Sequence, residues 1–141
     1  MSWIGPYQFR KLLENAHSRK PPRPGEVGAV YVVTRRRWRS RPSRRSGVLY
    51  VGGTTGHSRR FRTRIGDLIA DTFGFFCRGT RRHSGGRSLY RWCREHRVNP
   101  MDLYIGWRDR APCKRCAEVE EYERLRPLLN KNRPPRCSKH S

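Results

Sequence analysis

Acidic residues are scarce in this chain: 11 Asp and Glu stand against 33 Lys and Arg, for a formal net charge of +22 and a pI near 11.4. That imbalance exceeds what solubility requires, and such a surface binds polyanions electrostatically whatever else it does. Long apolar runs are also missing. Nothing approaches the length of a membrane span, and the opening stretch MSWIGPYQFRKLLENAHSRK has no apolar signal-peptide core. No basic amphipathic helix with a strong apolar face stands out, which argues against an anionic membrane as the partner. Cysteine is sparse and odd in number. Five cannot form a complete set of internal disulfides, so a reducing cytoplasm is the simplest setting, next to the nucleoid if the source is prokaryotic.

What remains is a basic chain of 141 residues, long enough for one domain with a modest core. The excess charge is mostly arginine, whose planar guanidinium favours bidentate phosphate contacts. The expected partner is nucleic acid: DNA, duplex or branched, with RNA left open.

Residues 1–26 read as an N-terminal extension, with a short helix over Ser2–Ala16 ended by the Lys-Pro-Pro-Arg-Pro-Gly stretch 20–25. Val27–Thr34 (VGAVYVVT) is β-branched enough for a central strand, and Gly47–Gly53 (GVLYVGG) for a second. Between them, 35–46 (RRRWRSRPSRRS) carries seven arginines and little to bury, a hairpin tip. Ser58 can cap a helix to about Asp71, and Ser88 another whose face holds Leu89, Trp92, Cys93 and His96. Met101, Leu103, Ile105 and Trp107 alternate with polar or small residues as a half-buried third strand. A helix over Ala117–Leu129 and a flexible tail over 133–141 complete the chain. The expected fold is α/β (α+β): a small three-stranded antiparallel sheet flanked by helices, order ββααβα, with its domain over 27–132.

On the last helix, Glu118, Tyr122, Leu125 and Leu129 recur at helical spacing, while Glu120, Glu121 and Glu123 fall elsewhere. An inward carboxylate is costly unless a cation or several donors meet it. Inside a polyanion-binding chain, Glu118 therefore reads as a metal ligand placed beside a phosphate.

Ala29-Val30-Tyr31 and Tyr50-Val51-Gly52 resemble the paired strand motifs of the GIY-YIG nuclease family. Arg60, ten residues after Tyr50, resembles the family's arginine, and His83 a histidine many members carry. The segment Glu118–Asn130 is similar to the family's glutamate helix and its Arg-Pro-x-Leu-Asn turn. Two departures stand out. Tyr31 and Tyr50 are 19 residues apart rather than about ten, the surplus being the arginine loop, and Ala29 replaces the usual glycine. Some members place the histidine one turn after the arginine, where this chain has Arg64.

The resemblance implies a metal-dependent endonuclease that hydrolyses DNA phosphodiesters. Glu118 would hold Mg²⁺ (or Mn²⁺), Arg60 would stabilise the phosphate, and Tyr31 would act as general base. Tyr50 would hydrogen-bond the water or phosphate, His83 would share proton traffic, and Asn130 would hold the site's shape. The alternative is a nucleic-acid-binding module on the same fold without catalysis.

Singly, each of these residues has an ordinary reading. Strand tyrosines pack, and a first-turn glutamate answers the helix dipole. An arginine among Arg59, Arg62 and Arg64 contacts phosphate, and a histidine in a Gly-rich loop is a loop residue. Five motifs in the family's order are harder to explain separately. The loop residues Arg35, Arg36, Arg37, Trp38, Arg39, Arg41, Arg44 and Arg45 form either a solvated, disordered tip or a clamp along a nucleic-acid backbone. In the clamp, Trp38 stacks on a base or packs underneath. Cys93-x-x-His96 and Cys113-x-x-Cys116 offer four ligands for a structural Zn²⁺, with reduced thiols or a disulfide as the alternatives and Cys77 and Cys137 incidental.

Overall fold

The computed structural model describes residues 3–18, 20, 22–25, 27–53, 61–75 and 84–139, without the side chains of 17, 18 and 84. It is α+β. Eight elements follow in order: β1 (Ile4–Gln8), α1 (Phe9–Ser18), β2 (Val30–Thr34), β3 (Val48–Gly53), α2 (Phe61–Thr72), α3 (Ser84–His96), β4 (Tyr104–Arg108) and α4 (Lys114–Leu125). The strands form one four-stranded antiparallel sheet in the order β1-β4-β2-β3.

The expected three strands and ββααβα order are therefore one strand and one helix short. Residues 4–18, expected to hold only a helix, supply the edge strand β1 and then α1. Ile4 pairs with Trp107, Tyr7 with Ile105 and Gln8 with Tyr104. Phe9, completely buried, opens α1 under the sheet.

β2 lies between β3 and β4, and all five of its residues are buried, as its β-branched composition demands. Alternation sends its side chains to opposite faces. Tyr31 and Val33 join Ile105 and Trp107 against α1, α2 and α3, where Leu12, Phe61, Ile65, Leu68 and Leu89 complete the larger core. Val30 and Val32, with Val48 and Val51, pack on the other face against Ala117 and Leu125 of α4.

The arginine loop is folded back, not left as a free tip. Trp38 is buried over Gly106 on the α4 side of the sheet, edge-on to Trp3 at 5.8 Å between ring centres. Two backbone bonds, Arg35 N–H to Gly47 O and Arg36 N–H to Ser46 O, prolong the hairpin into the loop. Arg44 donates to the Arg124 carbonyl, and Arg124 donates to that of Pro42, so the loop is pinned to the end of α4.

α4 itself starts three residues earlier and ends four residues earlier than expected. Cys113 caps its start, and Arg126 takes a left-handed conformation (φ 48°) at its end, with Pro127 following.

Candidate active site

The hairpin register builds the site. Gly52 on β3 pairs with Tyr31, and Tyr50 with Val33, so the two tyrosines are diagonal neighbours on the helix-covered face. Their ring centres lie 6.2 Å apart at 34°. Phe61, the first residue of α2, meets Tyr31 edge-on at 5.9 Å. Gly52 must be glycine here, since a Cβ would come within 2.5 Å of the Tyr31 hydroxyl oxygen. Gly85, in the first turn of α3, leaves room for the Tyr50 ring in the same way.

Burial pushes the Tyr31 phenol well above its usual pKa, and Tyr50 raises it further. Burial also raises Tyr50, with Arg64 opposing. The two hydroxyls share a hydrogen bond. Tyr31 is fully enclosed at 0% exposure. Tyr50 is half-buried and lines a cleft of about 140 Å³ with Gly85, Ser88, Leu129 and Asn130.

Glu118 reaches this end of the sheet from α4, its carboxyl group against Gly53. Burial raises its pKa, opposed by Arg115 and Arg64. It bears electrostatically on both tyrosines. Among the described residues it has no hydrogen-bond or ion-pair partner.

Asn130 follows α4 and lies along β3. Its side-chain oxygen accepts from Val51 N–H at 3.0 Å, and its amide donates to Val51 O at 2.8 Å. Together with Leu128 N–H to Val48 O and Leu129 N–H to Leu49 O, this covers the exposed edge of β3.

Four of the six expected site residues, Tyr31, Tyr50, Glu118 and Asn130, thus gather at one end of the β2–β3 hairpin. Arg59, Arg60 and His83 lie outside the described residues, as do Cys77 and Ser58. Arg64, expected only to contact phosphate, acts on both tyrosines and on Glu118. Its signal in the sequence is its place one helical turn after Arg60. Arg62 is turned away, donating to Pro24 O at 2.7 Å. It lines a cavity of about 490 Å³ between α1 and α2, which none of Tyr31, Tyr50, Glu118 and Asn130 borders.

The inward stripe of α4 needs correction. Ala117, Glu121 and Leu125 are its buried residues, whereas Glu118 and Tyr122 are half-buried beside them. Glu121, expected to fall elsewhere, is the fully enclosed carboxylate. Arg108 on β4 meets one of its oxygens at 3.2 Å and Arg124 the other at 2.6 Å.

The arginine loop divides in two. Arg35 stacks over the Trp92 ring, Arg36 donates twice to Arg45 O, and Arg44 holds the Arg124 carbonyl. Arg37, Arg39, Arg41 and Arg45 are exposed, and among the described residues their side chains have no hydrogen-bond or ion-pair partner. Trp38, enclosed beneath the loop, offers no face for a base to stack on.

The four expected zinc ligands do not meet. Cys93 is buried in the larger core, and the His96 ring stacks on Trp92 with its Nδ1 2.9 Å from Trp92 O. Instead Cys113, Cys116 and Cys137 gather, with their sulfurs all within 4.8 Å of one another. Among the described residues no helix is long and apolar enough to cross a membrane.

Compared with family models, with curated proteins and with solved structures, the chain finds no match in any of the three.

Proposed function

We propose that this protein is a metal-dependent endonuclease of GIY-YIG type, hydrolysing phosphodiester bonds in DNA at the open end of the β2–β3 hairpin. One observation carries the reading. Two hydrogen-bonded phenols, an arginine and a half-buried carboxylate without an ion-pair partner among the described residues bear on one another at the end of a sheet, in a molecule of net charge +22.

The donor chemistry fits a hard divalent ion. Glu118 offers oxygen, carries no competing partner among the described residues, and is destabilised as an anion by burial. Bound there, Mg²⁺ or Mn²⁺ supplies Lewis-acid stabilisation of charge on the scissile phosphate.

The remaining roles belong to the chain. Arg64 grips a nonbridging phosphate oxygen, either beside Arg60 or in its place. Tyr50, rather than Tyr31, receives the proton of the attacking water, because a base must reach its substrate and Tyr31 is enclosed. Tyr31 shares a hydrogen bond with Tyr50, which fixes the ring; toward a Tyr50 phenolate the Tyr31 hydroxyl would be the donor and would stabilise it. Asn130 holds β3 in place. Arg60 and His83 keep the roles the resemblance implies, on that ground alone.

The competing reading, a nucleic-acid-binding module without catalysis, draws on the complete burial of Tyr31. Nicking of supercoiled plasmid with Mg²⁺ and with chelator decides between the two. Cleavage is expected only with metal, is lost in Glu118→Ala, and falls by about 10²–10⁴-fold in Tyr50→Phe. Because the working form of Tyr50 is the phenolate, the rate climbs as pH rises from neutral into the alkaline range. Tight binding with no cleavage under any metal would establish the module instead.

A further inference from the structure

Cys137 follows a polar, proline-containing tail, yet its sulfur lies 3.5 Å from that of Cys113 at the start of α4. Cys116 completes a triangle in which every pair of sulfurs is within 4.8 Å. Four ligands at about 2.3 Å around a tetrahedral zinc place neighbouring sulfurs about 3.8 Å apart, so this spacing suits thiolates around one ion. It is too long for a disulfide, whose S–S bond is about 2.05 Å.

The local backbone favours a thiolate at Cys113, whereas the neighbouring sulfurs push the Cys116 thiol up to about 12, a cost that a bound cation would offset. Cys113 is the N-cap of α4, and Cys116 N–H donates to its sulfur at 3.4 Å. Lys114 and Arg115 lie between the two cysteines, and Arg136 precedes the third. Cations and helix N-termini lower the cost of ionising a thiol.

We infer that Cys113, Cys116 and Cys137 supply three thiolate ligands of a structural Zn²⁺ site, which ties the segment around Cys137 to the first turn of α4. Such a site contributes folding energy. Its place explains what it stabilises. The chain between Cys116 and Cys137 contains Glu118 and the segment Leu128–Asn130 that covers the β3 edge. Zinc therefore fastens both ends of the stretch that carries two of the candidate site residues. The inference does not rest on catalysis, and Glu118→Ala is expected to keep its zinc.

The test is metal analysis of the full chain purified without chelator, followed by Co²⁺ substitution and a thiol titration. One zinc per chain is expected, with tetrahedral thiolate bands in the visible spectrum of the Co²⁺ form. Cys137→Ser loses the metal and Cys93→Ser retains it. Protein that takes up no Zn²⁺ while its thiols titrate as free, or as a disulfide, overturns the site. Full zinc retention in Cys137→Ser does the same.

Discussion

Glu118 and Glu121 lie three residues apart on α4 and have opposite electrostatic surroundings. Glu121 is enclosed between Arg108 and Arg124, so removing it strands a buried guanidinium. Glu121→Ala is expected to destabilise the protein by about 3–5 kcal/mol in urea denaturation, whereas replacing Arg108 and Glu121 together by apolar residues costs much less. Glu118 has the reverse character. Its pKa is raised in the folded state, so the ionised form opposes folding above that pKa, and the penalty disappears as pH falls through it. Without divalent metal, Glu118→Gln is therefore expected to be more stable than the parent at neutral pH, by on the order of 1 kcal/mol. Thermal melts should show the gap closing in acid, and also on adding Mg²⁺, which binds only the parent. A residue whose removal stabilises the fold but abolishes cleavage is retained for chemistry. Periodicity alone could not rank these two acids. Both fall within one face's width, and only the position of Arg108, 13 residues away on another element, decides which is neutralised.

At the scale of elements, the N-terminal segment and the arginine loop show how far pattern reading carries. The apolar content of β2 and β3 made their hairpin legible, as did the helices around Phe61–Ile69 and Leu89–Trp92. β1 was not legible, because an edge strand with one side solvated has only a few half-buried residues and little alternation to display. Its pairing with β4 and the burial of Phe9 make it part of the sheet, not an appendage. Deleting residues 1–26 is accordingly expected to yield a chain without a cooperative melting transition by circular dichroism; a truncated protein melting like the parent would show the segment to be dispensable. Within the loop, Trp38 looked equally suited to stacking on a base or to packing. Gly106, a residue without a side chain on the facing strand, leaves the hollow that decides the matter. Trp38→Ala is expected to cost about 3–5 kcal/mol of stability.

For the whole molecule, charge outweighs every other property. The uncommitted Arg37, Arg39 and Arg41 project from a loop that is itself anchored, so their loss should weaken DNA binding without affecting folding. Replacing all three with serine is expected to reduce the slope of log K against log salt by about 0.9 for each phosphate contact removed, with an unchanged melting temperature. An unchanged slope would mean that the loop faces away from the nucleic acid. The same substitutions in Arg35, Arg36 and Arg44 should also lower stability, since those side chains hold Trp92, Arg45 and Arg124.

Sequence alone determined the sign of the molecule's field and the hairpin that carries Tyr31 and Tyr50. These depend on local quantities: charge counts, β-branched runs and the spacing of apolar residues. Tertiary structure alone decided that Tyr31 is enclosed while Tyr50 lines the cleft, that Arg64 bears on Glu118, and that Cys137 rather than Cys93 meets the Cys113–Cys116 pair. Each of those outcomes depends on residues far apart in the chain, and on desolvation, which acts only once the chain has packed.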